Sequence, residues 1–117
     1  MTHPESGIAR LTGTLEQLPA DPDEPGTSFL ELFRGHDERL TSGLWEAGAF
    51  SQQIDAYPVD EVCFLLSGQV TLTDADGHES VFTPGDGFAI RKGTPCTWTQ
   101  SGPVRKVYVI LEGDLQP

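Results

Sequence analysis

Apolar and polar positions along this chain fall into two regimes. Residues 1–19 are weakly patterned, with Ile8, Leu11, Leu15 and Leu18 in a loose helical or mixed periodicity. The segment 20–28, ADPDEPGTS, combines Pro, Gly and acidic residues and reads as a surface loop. From Phe29 the pattern changes. FLELF is short and apolar-rich, and SGLWEAGAF joins two strand candidates near Gly48. Beyond Asp60 turn signals recur about every eight or nine residues, at Gly68, Asp76-Gly77, Pro84-Gly85, Lys92-Gly93 and Gly102-Pro103. Between them lie VCFLLS, QVTLTD, ESVFT, GFAI, CTWTQ and VRKVYVIL, rich in the β-branched and aromatic residues that suit a pleated surface.

Evenly spaced short strands predict an all-β antiparallel sandwich or barrel. There is no room for the crossover helices of a parallel sheet. In DADG the glycine can take positive φ and close a hairpin. In TPGDG, Pro84 presets φ and Gly85 can supply the left-handed residue of a type II turn. No solenoid repeat is visible. The boundaries that follow are an N-terminal arm and loop at 1–28, a β-barrel at 29–111 and a tail at 112–117.

Composition narrows the function classes. The 117 residues suit one domain with a modest core. No stretch approaches the ~20 apolar residues of a membrane helix. MTHPESGIAR lacks a signal-peptide core, so the expectation is a cytoplasmic protein with no membrane partner. Two cysteines, Cys63 and Cys96, read as reduced thiols rather than a disulfide framework. Eighteen acidic residues stand against seven Lys and Arg, a net charge of −11, which argues against a nucleic-acid partner. The acidity reads first as a soluble, self-repelling surface and second as a site for cationic ligands.

Two segments carry a family resemblance. Glu61 is followed by six residues and Gly68 in EVCFLLSG, and PGDGFAIRKGTPCTW follows. Together they resemble the two motifs of the cupin superfamily over roughly 54–100. Within it, GLWEAGAF, a tyrosine before VCFLLSGQV, PGD, CTW and RKVYVI are similar to the small single-domain group of ureidoglycine aminohydrolase cupins. The resemblance implies a cupin jelly roll or small antiparallel β-barrel, but no single reaction.

The departures carry the functional argument. Aligned on Glu61 with the shorter family spacing, two histidines fall on Asp55 and Tyr57; with the longer spacing, on Ile54 and Ala56. The third histidine falls on Cys96 and the asparagine on Gln100. Of three His and one Glu, only Glu61 remains, so a metal held through imidazole loses its nitrogen ligands. The expectation is a site without a cofactor. A divalent metal held by Glu61, Asp55, Cys63 and Cys96 is the minor alternative.

Strand alternation puts Cys63 and Leu65 on the face of Glu61, and Cys96 and Trp98 on one face. Glu61 enclosed in an apolar barrel suits general acid–base work, while a surface glutamate at a strand start is the plain alternative. Lys106 shares parity with Tyr108: if one faces inward so does the other, and Lys106 can then pair with Glu61. An exposed Lys106 is the competing reading. The resemblance implies an aromatic-lined cavity with a glutamate and a lysine or tyrosine. The catalytic candidates are therefore Glu61, Tyr57 and Lys106, and the ligand-binding candidates Trp45, Asp55, Cys96, Trp98 and Tyr108. Core packing competes for the aromatics. His36 and His78 read as solvated loop residues, and no histidine is placed beside a thiol. The expected protein binds a small polar metabolite, as a hydrolase or isomerase or as a non-enzymatic binding module, and forms a homodimer.

Overall fold

The structure is a computed structural model and describes residues 7–13 and 17–113. His3, Leu15 and the last four residues of the tail lie outside the described residues. Nine strands follow in order: β1 (Thr27–Gly35), β2 (Leu40–Ala47), β3 (Phe50–Ile54), β4 (Asp60–Ser67), β5 (Val70–Asp74), β6 (Glu79–Phe82), β7 (Gly87–Ile90), β8 (Cys96–Gln100) and β9 (Val104–Leu111). They pair into two antiparallel sheets, β1-β2-β9-β4-β7 and β3-β8-β5-β6. This is an all-β jelly roll, and each strand segment read from the sequence becomes a strand. Gly77 and Gly85 take φ of 88° and 96°, as their turns require.

The alternation in β4 orients the site. Glu61, Cys63 and Leu65 are buried between the sheets, while Val62, Phe64 and Leu66 face outward. Across from them, Trp98 and Gln100 of β8 are buried on the inner face of the smaller sheet. The inter-sheet core gathers Tyr57, Cys63, Leu65, Val70, Ile90, Trp98 and Val104. Burying each large apolar side chain stabilises the fold by about 1.5–3 kcal/mol.

A second cluster covers the outer face of the larger sheet, where Leu18 packs on Leu44 and Val107, with Leu11, Leu30 and Leu32 around them. Strand β9 is therefore packed on both faces, which explains its nearly continuous apolar run VRKVYVIL. The loose helical periodicity of the arm has a different outcome: the described arm residues form no helix. The Phe29 amide donates to Pro19 O at 3.0 Å and Ala20 bridges Ser28, so Leu18 is laid flat on the sheet. Leu18 and Leu11 are spaced to cover a sheet face, not to line a helix.

The charged GHDER segment forms the β1–β2 turn. His36, Asp37 and Glu38 are exposed there and all take positive φ, 53°, 54° and 68°.

Candidate functional site

Glu61 enters the space between the sheets from β4, and its carboxylate is met from three directions. Tyr57 lies in the β3–β4 loop. Its backbone is held against the β7–β8 loop, its N–H donating to Thr94 O at 2.9 Å and its carbonyl accepting from Gly93 N at 2.8 Å. That anchoring turns the Tyr57 hydroxyl inward, where it donates to Glu61 Oε1 at 2.5 Å. Lys106 reaches in from β9, and its Nζ donates to Glu61 Oε2 at 2.9 Å. The Cys63 thiol donates to the same oxygen at 3.4 Å, and Lys106 Nζ lies 3.5 Å from Cys63 Sγ.

The Lys106 ammonium is also roofed by aromatic rings. It lies 4.6 Å from the Trp45 ring centroid and 4.5 Å from that of Trp98, so both indoles turn π density toward it. Trp45 comes from the neighbouring strand, in register with Lys106, whereas Trp98 comes from the opposing sheet. Gln100 fixes Trp98 by accepting from its Nε1 at 2.9 Å. The Gln100 amide donates in turn to the Ala47 and Gly48 carbonyls at 3.1 and 2.8 Å. Phe50 stacks nearly parallel on Trp98, with ring planes 9° apart, and Phe88 meets it edge-on.

Glu61 and Lys106 side chains are only 7% and 6% exposed. A buried ion pair of this kind survives when its remaining hydrogen-bonding capacity is met, and here phenol, thiol and indole faces meet it. Burial and the Glu61 charge hold the Tyr57 hydroxyl far above its ordinary pKa, so it stays a donor. Burial likewise pushes the Cys63 thiol up to about 12, with Lys106 opposing and Glu61 adding to the shift. Cys96 is raised by burial alone. Tyr108 is pushed up to about 12, by burial first, then by Glu31 and Glu61.

Tyr57, Glu61 and Lys106 line a cavity of about 830 Å³, whose walls also include Trp45, Phe50, Trp98 and Tyr108. A second cavity, about 780 Å³, opens beside β7 and is also lined by Glu61, with Phe88, Ile90 and Cys96. Six of the residues singled out in the sequence thus meet at one cavity: Trp45, Tyr57, Glu61, Trp98, Lys106 and Tyr108. Lys106 faces inward, not outward. Asp55 does not join them: it is exposed in the bend after β3 and lines neither cavity. Cys96 is half-buried and faces the second cavity. His36 is exposed, and so is His78 in its turn.

The site also contains residues that strand parity hides. Glu31 and Arg34 both face the first cavity. Arg34 donates from Nε and Nη2 to the two Glu31 oxygens at 2.8 and 2.6 Å. Three residues apart on a regular strand, they would point to opposite faces. A β-bulge between Glu31 and Phe33 shifts the phase and brings them together. Gln100 could be anticipated only as the residue at the family asparagine position.

A two-sheet jelly roll with a glutamate from its first motif strand lining the cavity defines a cupin. The chain belongs to the EutQ-like cupin domain family, whose model matches residues 34–108. The EutQ protein of Clostridium difficile has the same fold at 20% identity, with a TM-score of 0.65 over 85% of this chain and 82% of that one. A DUF861 family protein of Thermotoga maritima is 34% identical, with a TM-score of 0.53 over 58% of this chain and 76% of that one. A protein of unknown function from Pseudomonas syringae pv. tomato is 25% identical, with a TM-score of 0.70 over 88% of this chain and 44% of that one. No curated protein matched. Among the described residues, no helix is long and apolar enough to cross a membrane.

Proposed function

We propose that this cupin binds a small polar metabolite in the Trp45–Trp98 cavity and that Glu61 is its acid–base group. One observation carries the reading: Glu61, Tyr57 and Lys106 converge in an aromatic-walled cavity. A carboxylate between a held phenol and an ammonium is arranged to take a proton from a substrate or water and return it. Tyr57 and Lys106 then stand ready to stabilise negative charge developing on the substrate. Hydrolysis at an amide or amine-bearing carbon, or isomerisation, needs no more than this, and the resemblance of GLWEAGAF, PGD and CTW to segments of ureidoglycine aminohydrolase cupins favours the first.

The cupin fold often carries a divalent metal, and the donor set here does not fit one. Of the positions aligned with family histidines, Asp55 is exposed and Tyr57 gives its hydrogen to Glu61. Lys106 covers the other Glu61 oxygen. The positive charge beside Glu61 is supplied by the chain itself. Metal analysis of protein purified without chelator checks this: a stoichiometric ion lost on Glu61→Gln would sink it.

The function is tested by thermal-shift screening against a metabolite panel, followed by turnover assays on each hit. Turnover abolished by Glu61→Gln, with binding retained, supports the acid–base reading. Binding with no turnover, unchanged by Glu61→Gln, selects a binding module instead. That second reading draws on the network itself, since among the described residues no buried side-chain nitrogen or oxygen lacks a partner.

The assembly proposed with it is a homodimer. Val62, Phe64 and Leu66 on β4 are 37%, 48% and 40% exposed, and a row of exposed apolar residues favours cover by a second copy. A one-chain mass by light scattering at micromolar concentration would count against it.

A further inference from the structure

Two features of the Trp45–Trp98 cavity are not used by the Glu61 chemistry. The first is its charge. Five carboxylates line it, Asp21, Glu24, Glu31, Glu61 and Glu112, against two cations, Arg34 and Lys106. Each cation is paired with a carboxylate inside the cavity. The excess negative charge therefore belongs to the remaining three carboxylates and reaches any ligand that enters.

The second feature is Tyr108. It is 94% buried, at 6% relative exposure, and lines the cavity. Its hydroxyl has no hydrogen-bond partner among the described residues, although Tyr57, Ser42, Trp98 and Gln100 all have theirs. Among the described residues no fully buried side-chain oxygen lacks a partner, so this hydroxyl is the accessible end of a buried ring and is open to a hydrogen bond from a bound molecule. The fold makes room for it. The hydroxyl lies 2.9 Å from where a β-carbon on Gly43 would stand, so the ring crosses β2 only because residue 43 has no side chain. Glu31 and Glu61 both act on this phenol electrostatically, more strongly than Arg34 does. The unpaired carboxylates Asp21, Glu24 and Glu112 and the aromatic side chains Trp45, Phe50 and Trp98 line the same cavity as this ring.

We propose that the cavity takes a small organic cation, a primary or methylated ammonium on a short carbon chain. The Tyr108 hydroxyl oxygen accepts from its N–H or packs on its methyl groups, and Trp45 and Phe50 cover its carbon chain. This rests on the cavity being the ligand site and adds the ligand's charge and its first contact. Negative potential selects against carboxylates, and the aromatic walls select for an apolar body on the cation. Lys106 does not repel it appreciably, because Glu61 neutralises Lys106 at 2.9 Å.

The test is a fluorescence titration. Both tryptophans of the chain, Trp45 and Trp98, line this cavity. The probes are propylammonium, tetramethylammonium, propionate and 1-propanol, which separate charge from shape. Propylammonium or tetramethylammonium should give a saturable change that weakens as salt is raised. Tyr108→Phe, which keeps the ring over Gly43, should raise the Kd for propylammonium by about tenfold. Glu31→Gln removes the closer of Arg34's two carboxylate partners and leaves Glu38 at 3.8 Å, and should weaken the ammonium and improve propionate. Propionate or propanol binding as tightly as propylammonium overturns the proposal. So does the absence of a saturable response to either ammonium, or an unchanged Kd in both variants. The two readings fail separately. Preferred propionate binding with Glu61-dependent turnover removes the cation and keeps the acid–base site; ammonium binding without Glu61-dependent turnover does the reverse.

Discussion

Replacing Lys106 by Met should be the most destabilising conservative change in this protein. Methionine keeps the length and volume of the stem but removes the ammonium. Glu61 would then be left 7% exposed with only the Tyr57 hydroxyl and the Cys63 thiol as donors. Removing one member of a buried ion pair costs about 3–5 kcal/mol, because the other charge stays desolvated. The contacts of Lys106 with Trp45 and Trp98 go with it, and such desolvated cation–π contacts are worth up to about 2 kcal/mol. These terms overlap, so about 3–5 kcal/mol is the expected total. At roughly 4 °C per kcal/mol for a domain of this size, the Tm falls by about 12–20 °C.

The cause is separable from simple core damage. Glu61→Leu combined with Lys106→Met removes both charges, and well-packed apolar replacements of buried pairs are commonly neutral. The double variant should recover most of the loss. What remains, about 1–3 kcal/mol, is the Tyr57 hydroxyl left without its acceptor, and adding Tyr57→Phe should remove that as well. Urea unfolding followed by circular dichroism and tryptophan fluorescence measures each step. A loss under about 1 kcal/mol for Lys106→Met alone would refute the reasoning, since only a solvated pair behaves that way.

Two further outcomes follow from the same geometry. An acid whose pKa is raised by folding loses stability as pH climbs from its unfolded value to its folded one, because the unfolded chain releases its proton first. For Cys63, at 0% exposure, that window runs from about 9 to about 12, so stability should fall there by up to about 1.4 kcal/mol per pH unit. Tyr57 and Tyr108, raised from 10.0, add a loss of the same sign above that pH, so Cys63→Ala should flatten the limb between about pH 9 and 10 and only lessen it beyond; iodoacetamide should label Cys96 in the native protein well before Cys63, and equal labelling rates would contradict the burial. Gly43→Ala should cost about 1–3 kcal/mol and displace Tyr108, because the new methyl group meets Leu30 O and the Tyr108 hydroxyl. An unchanged urea midpoint would show that the notch is not needed.

The strands and the residues that share a face within β4 and β9 were legible in the sequence for a simple reason, but not which face of β9 turns inward. Period-two burial and turn residues are local signals, and Lys106 with Tyr108 could be tied to one face by counting alone. Two kinds of information were not local. Glu31 and Arg34 meet through a bulge at Leu32 that no residue there announces, so parity would have separated them. Motif spacing put Asp55 and Tyr57 on equal footing as replacements for histidines. The structure divides them, because only Tyr57 is clamped to the β7–β8 loop and turned toward Glu61.

Motif spacing registers only what has been lost from the two cupin motifs, and Lys106 lies in neither, on the last strand of the fold. Yet Lys106 supplies the positive charge next to Glu61, with Trp45 from β2 and Trp98 from the opposite sheet arranged around it. A carboxylate this buried needs a compensating charge, so the loss of imidazole ligands at Tyr57 and Cys96 and the presence of an inward lysine are one physical requirement met in another way. On the proposed function, an inward lysine between two tryptophans supplies the charge beside Glu61 from the chain itself and leaves the Tyr108 hydroxyl as a contact for the ligand.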